Sequence, residues 1–96
     1  MKSLDEVKAT LKSNRDNLFK RYPIKSLAIF GSFARNEVSV DSDLDVLVEF
    51  DDKIGARFID LAYDLEELFE IKVDLVSKNG VKERYMRSIK EDLIYV

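Results

Sequence analysis

The chain has 96 residues, with 16 Lys and Arg against 19 Asp and Glu, and it contains no His, Cys or Trp. Without Cys there is no disulfide, thiolate nucleophile, Fe–S cluster or Cys-based zinc site; without His there is no imidazole base, Ser-His-Asp triad or His-bound transition metal. Any chemistry has to run on carboxylates, hydroxyls, Lys, Arg, Tyr or backbone amides, a set that suits a hard cation such as Mg2+.

The length predicts a single domain over 1–96, and an apolar fraction of 46% with 36% charged residues describes a globular chain. No apolar run approaches the ~20 residues of a membrane span, and acids in the opening MKSLDEVKAT argue against a secretory leader. A cytoplasmic location is therefore expected, and the missing Cys agrees with it. The net charge of −3 hides a division: residues 1–35 carry eight bases and three acids, residues 36–81 four and thirteen. Asp41 to Asp52 holds six acids and no base. Such a stretch repels phosphates unless metal ions intervene, so direct nucleic-acid binding is not expected.

Taken in chain order, Leu4, Val7, Leu11, Leu18 and Tyr22 share one helical face, predicting a helix over 4–21 that stops at Pro23. Ser3 is its candidate N-cap, and Glu6 completes a capping box. Ile24 to Phe30 reads as a strand, and Gly31-Ser32-Phe33-Ala34-Arg35 as a turn that opens a short helix. Leu44 to Phe50 alternates, with Leu44, Val46, Val48 and Phe50 on one side and Asp45, Leu47 and Glu49 on the other. The spacing of Phe58, Leu61, Ala62, Leu65, Leu68 and Phe69 predicts a helix over about 56–70. Ile71 to Val76 predicts a third strand. Val81 to Leu93 predicts a last amphipathic helix through Tyr85, Met86 and Ile89. The apolar tail Leu93-Ile94-Tyr95-Val96 would pack on the core or add an edge strand, with partner docking as a second reading. The order α-β-α-β-α-β-α is a mixed α/β (α+β) domain, a small sheet with helices.

Three features carry chemistry. Gly31 lets the backbone approach a ligand and Ser32 adds a hydroxyl, which together could cradle a polyphosphate; a plain tight turn with a capping Ser is the simpler alternative. Asp43 and Asp45, two apart, project from one strand face, where a divalent cation would relieve their repulsion. Asp74 interrupts the apolar run Ile71–Val76. If its strand lies beside the Asp43–Asp45 strand, three carboxylates line one face, enough for two metal ions, with Asp74 as a candidate general base.

These segments, GSFAR at 31–35, DLD at 43–45 and VDLV at 73–76, resemble the signature of the DNA polymerase β-like nucleotidyltransferase superfamily, and the form GSFAR…SDLDVLVEF resembles its minimal nucleotidyltransferases. The resemblance spans about residues 24–96. It implies a polymerase β palm-like fold in which Gly31 and Ser32 hold the triphosphate of ATP, Asp43 and Asp45 bind Mg2+, and Asp74 completes the metal site and helps deprotonate an incoming hydroxyl. Arg35, three residues after Ser32, is a further candidate for phosphate, with a salt bridge to a nearby acid as the alternative. Asn36 stands where the family often has Gly, and Asn tolerates the left-handed backbone that such a turn needs.

Larger relatives in the resembled family carry a helical acceptor module, and the reading of 1–96 as one nucleotidyltransferase domain leaves none expected here. The resemblance therefore implies a separate HEPN-type partner, an RNase toxin onto whose tyrosine AMP is transferred, with this chain as the antitoxin. A catalytic subunit of a split small-molecule nucleotidyltransferase and a non-catalytic antitoxin that works by binding alone are the alternatives. Glu49, Asp51 and Asp52 are expected to be solvated, Lys78 is a lesser phosphate or partner candidate, and Arg84, Arg87 and Lys90 are expected to form a wet helix face.

Overall fold

The computed structural model describes residues 3–96. Helix α1 covers Leu4–Arg21, strand β1 Ile24–Phe30, helix α2 Gly31–Ala34, strand β2 Leu44–Phe50, helix α3 Arg57–Phe69, strand β3 Val73–Ser77, helix α4 Glu83–Ile89 and strand β4 Ile94–Tyr95. Single 3-10 turns over Lys78–Gly80 and Lys90–Asp92 flank α4. The sheet order is β3-β2-β1-β4, with β1 antiparallel to both β2 and β4, and β2 parallel to β3. The mixed α/β class predicted from the sequence is the one observed.

The start of α1 follows its sequence signals. Ser3 Oγ accepts the Glu6 N–H at 3.2 Å. The Glu6 carboxylate meets the Ser3 hydroxyl at 3.4 Å, a side-chain version of the reciprocal cap. The helix ends at Tyr22, which is extended and leads into Pro23.

Alternation along β1 and β2 divides the sheet into two faces. On one, Leu27, Ile29, Leu44, Val46 and Val48 pack with Val7, Leu11 and Leu18 of α1 and Leu61, Leu65 and Phe69 of α3. Burying a Leu or Phe side chain is worth about 1.5–3 kcal/mol, so this layer is the principal source of stability. On the other face Ala28, Phe30 and Leu47 pack under Ile89 of α4, with Val76, Met86 and Leu93 around them. Leu47, which sits among acids in the sequence alternation, is buried for that reason.

Three boundaries differ from expectation. Strand β3 begins at Val73 rather than Ile71, because Glu70 takes a left-handed backbone (φ 58°, ψ 29°) that ends α3, and the chain needs the next two residues to turn. The Val73 N–H then bonds Glu66 Oε2 at 3.0 Å and Leu44 N–H bonds the Lys72 carbonyl at 2.9 Å, so β3 is pinned at its first residue. The last helix runs over 83–89 rather than 81–93. It tightens into the Lys90–Asp92 turn, which frees Ile94 and Tyr95 to pair with Ile29 and Ala28. The apolar tail is thus an added fourth strand. Among the described residues, no helix is long and apolar enough to cross a membrane.

Candidate active site

Register builds the site. Phe30 on β1 opposes Asp45 on β2, and Asp45 lies directly beside Asp74 on β3, so these three residues form one row across the sheet. The row lies on the same face as Ala28 and Leu47; its Phe30 end packs in the cluster under Ile89, while Asp45 and Asp74 lie outside that cluster. Asp45 is partly buried and Asp74 is exposed, which leaves the pair open to an incoming group.

Two acids side by side are costly, and Asp45 shows it. Its pKa is pushed up to about 6, first by burial and then by the negative charges of Asp74 and Asp43, with Arg35 offsetting them in part. Asp43, immediately before β2, therefore belongs to the same electrostatic group. Asp45 and Asp74 are register neighbours, and Asp43 is near enough to act on Asp45 through its charge.

Gly31 abuts this group from the end of β1. Its φ of 73° lies in the left-handed region, and a Cβ there would overlap Asp45 Oδ2. Only glycine satisfies both demands. The simpler reading of Ser32, as a cap, fails: Phe30 holds the N-cap position of α2, and no side chain caps that turn. The turn is fixed by Phe33, which is buried in the core, and by Glu37 N–H bonding the Ser32 carbonyl at 2.8 Å. Asn36 has φ 58°, the left-handed geometry expected where a glycine is replaced.

Arg35 turns to acids rather than into the turn. Its guanidinium lies 3.2 Å from Glu37 and 2.8 Å from Asp92, and these bonds raise its pKa further. The salt-bridge alternative is the arrangement present. Glu49 is half-buried rather than solvated. It accepts from Ser26 Oγ at 3.2 Å and lies 3.7 Å from Lys78 Nζ, which occupies that lysine with an internal acid. Asp51, Asp52, Arg84, Arg87 and Lys90 are exposed, as expected.

Sequence reading missed Tyr85. Periodicity placed it on the buried face of the last helix, yet it is 41% exposed, with its ring edge-on to Phe30 at 6.4 Å and 86°. Its phenol is raised by burial and by the charges of Asp74 and Asp45, so it shares their electrostatic environment. No sequence signal separates it from Met86 and Ile89, which pack in the cluster on the sheet while Tyr85 stands against Phe30.

Paired carboxylates with a third close by, under-compensated by cations, are the donor chemistry of a hard divalent ion. That chemistry suits a hard cation such as Mg2+. Among the described residues no three acids are yet drawn into one ligand cluster, so a bound ion would have to gather them by side-chain rotation.

The chain that carries these groups is matched by the nucleotidyltransferase domain model over residues 11–96. The chain belongs to the nucleotidyltransferase domain family. A protein of Methanocaldococcus jannaschii provisionally named protein adenylyltransferase MJ0126 is 45% identical, with both chains covered in full. Protein adenylyltransferase MntA of Thermococcus cleftensis is 33% identical over all of this chain and 98% of its own. Two solved structures share the nucleotidyltransferase fold at 18% identity. One is a toxin–antitoxin with AMP-PNP, matched with a TM-score of 0.73 over 88% of this chain and 70% of that one. The other, with a TM-score of 0.70 over 93% and 70%, is a tri-AMPylated Shewanella oneidensis HEPN toxin in complex with an MNT antitoxin.

Proposed function

We propose that this nucleotidyltransferase moves AMP from ATP onto a hydroxyl, a tyrosine of a HEPN-type partner, with Mg2+, and that it acts as an antitoxin by doing so. The observation that carries the reading is the Phe30–Asp45–Asp74 row with Gly31 against its central carboxylate. The names of the full-length relatives and the HEPN complex in the matched fold support the acceptor and the partner.

Gly31 and Ser32 would receive the triphosphate, since the glycine leaves the backbone bare and the Ser32 hydroxyl caps nothing. Asp43, Asp45 and Asp74 would hold Mg2+, which supplies charge neutralisation for the triphosphate. Asp74, the exposed acid of the row, would accept the proton of the incoming hydroxyl as that oxygen attacks the α-phosphorus and pyrophosphate departs. Little else is required of the protein, because this class of transfer depends mainly on positioning and charge.

The test is to incubate the chain with Mg2+, labelled ATP and a HEPN-type protein. Mass spectrometry should show AMP units on a partner tyrosine, lost in an Asp43→Ala/Asp45→Ala variant. Label on a small molecule instead would favour the split enzyme. Absence of transfer, with toxicity still suppressed by the double variant, would establish binding alone as the mode of action.

A further inference from the structure

The groups assigned to phosphate and cation account for one end of a nucleotide and leave its base without a partner. Beside the acid row, α4 offers one. Tyr85, Lys82, Arg84 and Ser88 line a cavity of about 530 Å3, within the ~300–1,000 Å3 usual for small-molecule sites. The Tyr85 ring is fixed by Phe30, which is both the residue before Gly31 and the register partner of Asp45, so the cavity wall is tied to the catalytic row by direct contact. Ser88 Oγ donates to the Tyr85 carbonyl at 2.7 Å, which ties the far side of the cavity to the same helix turn. The exposed Lys82 and Arg84 ring the opening with positive charge. A half-exposed aromatic face under a cationic rim, in contact with the residue that precedes the Gly31 turn, suits a flat ring attached to an anion.

We propose that this cavity is the nucleobase subsite, with the Tyr85 ring as its stacking wall. The inference rests on the nucleotide reading of Gly31 and Ser32 and adds to it where the base lies and which residue sets the preference for a nucleoside triphosphate over bare polyphosphate. Stacking needs the ring and not the hydroxyl. It is also sequence-tolerant, because every base has a π-face, so the wall predicts modest discrimination between purine triphosphates.

The test compares binding of ATP and of inorganic tripolyphosphate, each with Mg2+, by titration calorimetry on the full chain. The unsubstituted protein should bind ATP more tightly than tripolyphosphate. Tyr85→Phe should keep that preference, and Tyr85→Ala should lower ATP affinity about tenfold or more while leaving tripolyphosphate affinity unchanged. Ser88→Leu, which narrows the cavity without touching the ring, should have the same effect as Tyr85→Ala and guards against a folding artefact in that variant. Tripolyphosphate binding with no preference for ATP, or an unaltered preference in Tyr85→Ala, would overturn the subsite and leave the phosphate site standing. Binding of neither would overturn both. AMP found covalently on Tyr85 would also overturn it, since the residue would then be an acceptor rather than a wall.

Discussion

Gly31 and Asp45 are packed so closely that no side chain fits between them: a Cβ on Gly31 would overlap Asp45 Oδ2 and stand 3.0 Å from its Cγ. The glycine that opens α2 and the central acid of the row therefore compete for one space. Gly31→Ala meets two penalties, a left-handed backbone that costs a non-glycine residue about 1–2 kcal/mol and displacement of the Asp45 carboxylate. Thermal melting should fall by several degrees, and AMP incorporation by more than tenfold in protein that circular dichroism shows to be folded. A folded variant with full activity would separate the turn from the acid.

Asp45 is held against Asp74 and Asp43 at a cost to the fold. In the absence of divalent ions, Asp45→Asn should raise the melting temperature near pH 7 while reducing transfer at least a hundredfold, the trade expected where a site is built from mutually repelling groups. Unchanged melting would show that the repulsion is screened.

The pH dependence follows in sign. Asp45 has a folded pKa of about 6 against an ordinary 3.8. Between those values the folded chain keeps a proton that the unfolded chain has lost, so on this group's account stability falls as pH rises through the window and levels off above it. Mg2+ should displace that proton. At pH 6, calorimetry in buffers of different ionisation heat should register proton release on Mg2+ binding, and Asp45→Asn should abolish it.

Glu70 ends α3 in a left-handed conformation, φ 58°, with its N–H bonded to the Glu66 carbonyl at 2.8 Å. Glycine is the residue that favours this position. Glu70→Gly should stabilise the chain by about 1 kcal/mol, a rise of about 4–8 °C in melting temperature, with transfer unaffected. A lower melting temperature would mean that the carboxylate contributes more than the backbone strain costs.

Tyr22 reports on the opposite side of the molecule. Its buried hydroxyl donates to Asp64, which also pairs with Arg21 at 2.8 Å, and Arg57 lies over its ring at 5.2 Å. Burial, followed by the Asp64 hydrogen bond, pushes its pKa up to about 12 from 10. Its contribution is complete below pH 10 and disappears as pH climbs through 12. Absorbance titration should show one phenolate forming last among the four tyrosines, and Tyr22→Phe should remove that step at a cost of about 1 kcal/mol.

The site was more legible than the fold's edges. Gly31, Asp43, Asp45 and Asp74 sit in short segments where a polar residue or glycine interrupts an apolar pattern; strand register joins Asp45 to Asp74, and the close approach of Gly31 to Asp45 adds the turn. Tyr85 was illegible because its neighbour Met86 has the same periodic claim on the core, and of the two it is Met86 that packs in the cluster on the sheet. The start of β3 was misplaced because a Glu occupies the left-handed cap where sequence reading looks for Gly or Asn. Strand β4 spans two residues, too few for alternation to show, and exists through its pairing with Ala28 and Ile29.

Asp45 and Asp74 lie next to each other only because β2 and β3 are parallel, and parallel neighbours must be joined by a crossover, here α3. The β1–β2 pair closes over a short span, whereas the β2–β3 pair waits for the longer connection to form. A chain arrested at the hairpin has half of the carboxylate row and no reason to hold a divalent ion. A ligand that needs both acids would therefore bind only the molecule in which β3 has docked beside β2, and would draw the population towards that state by mass action.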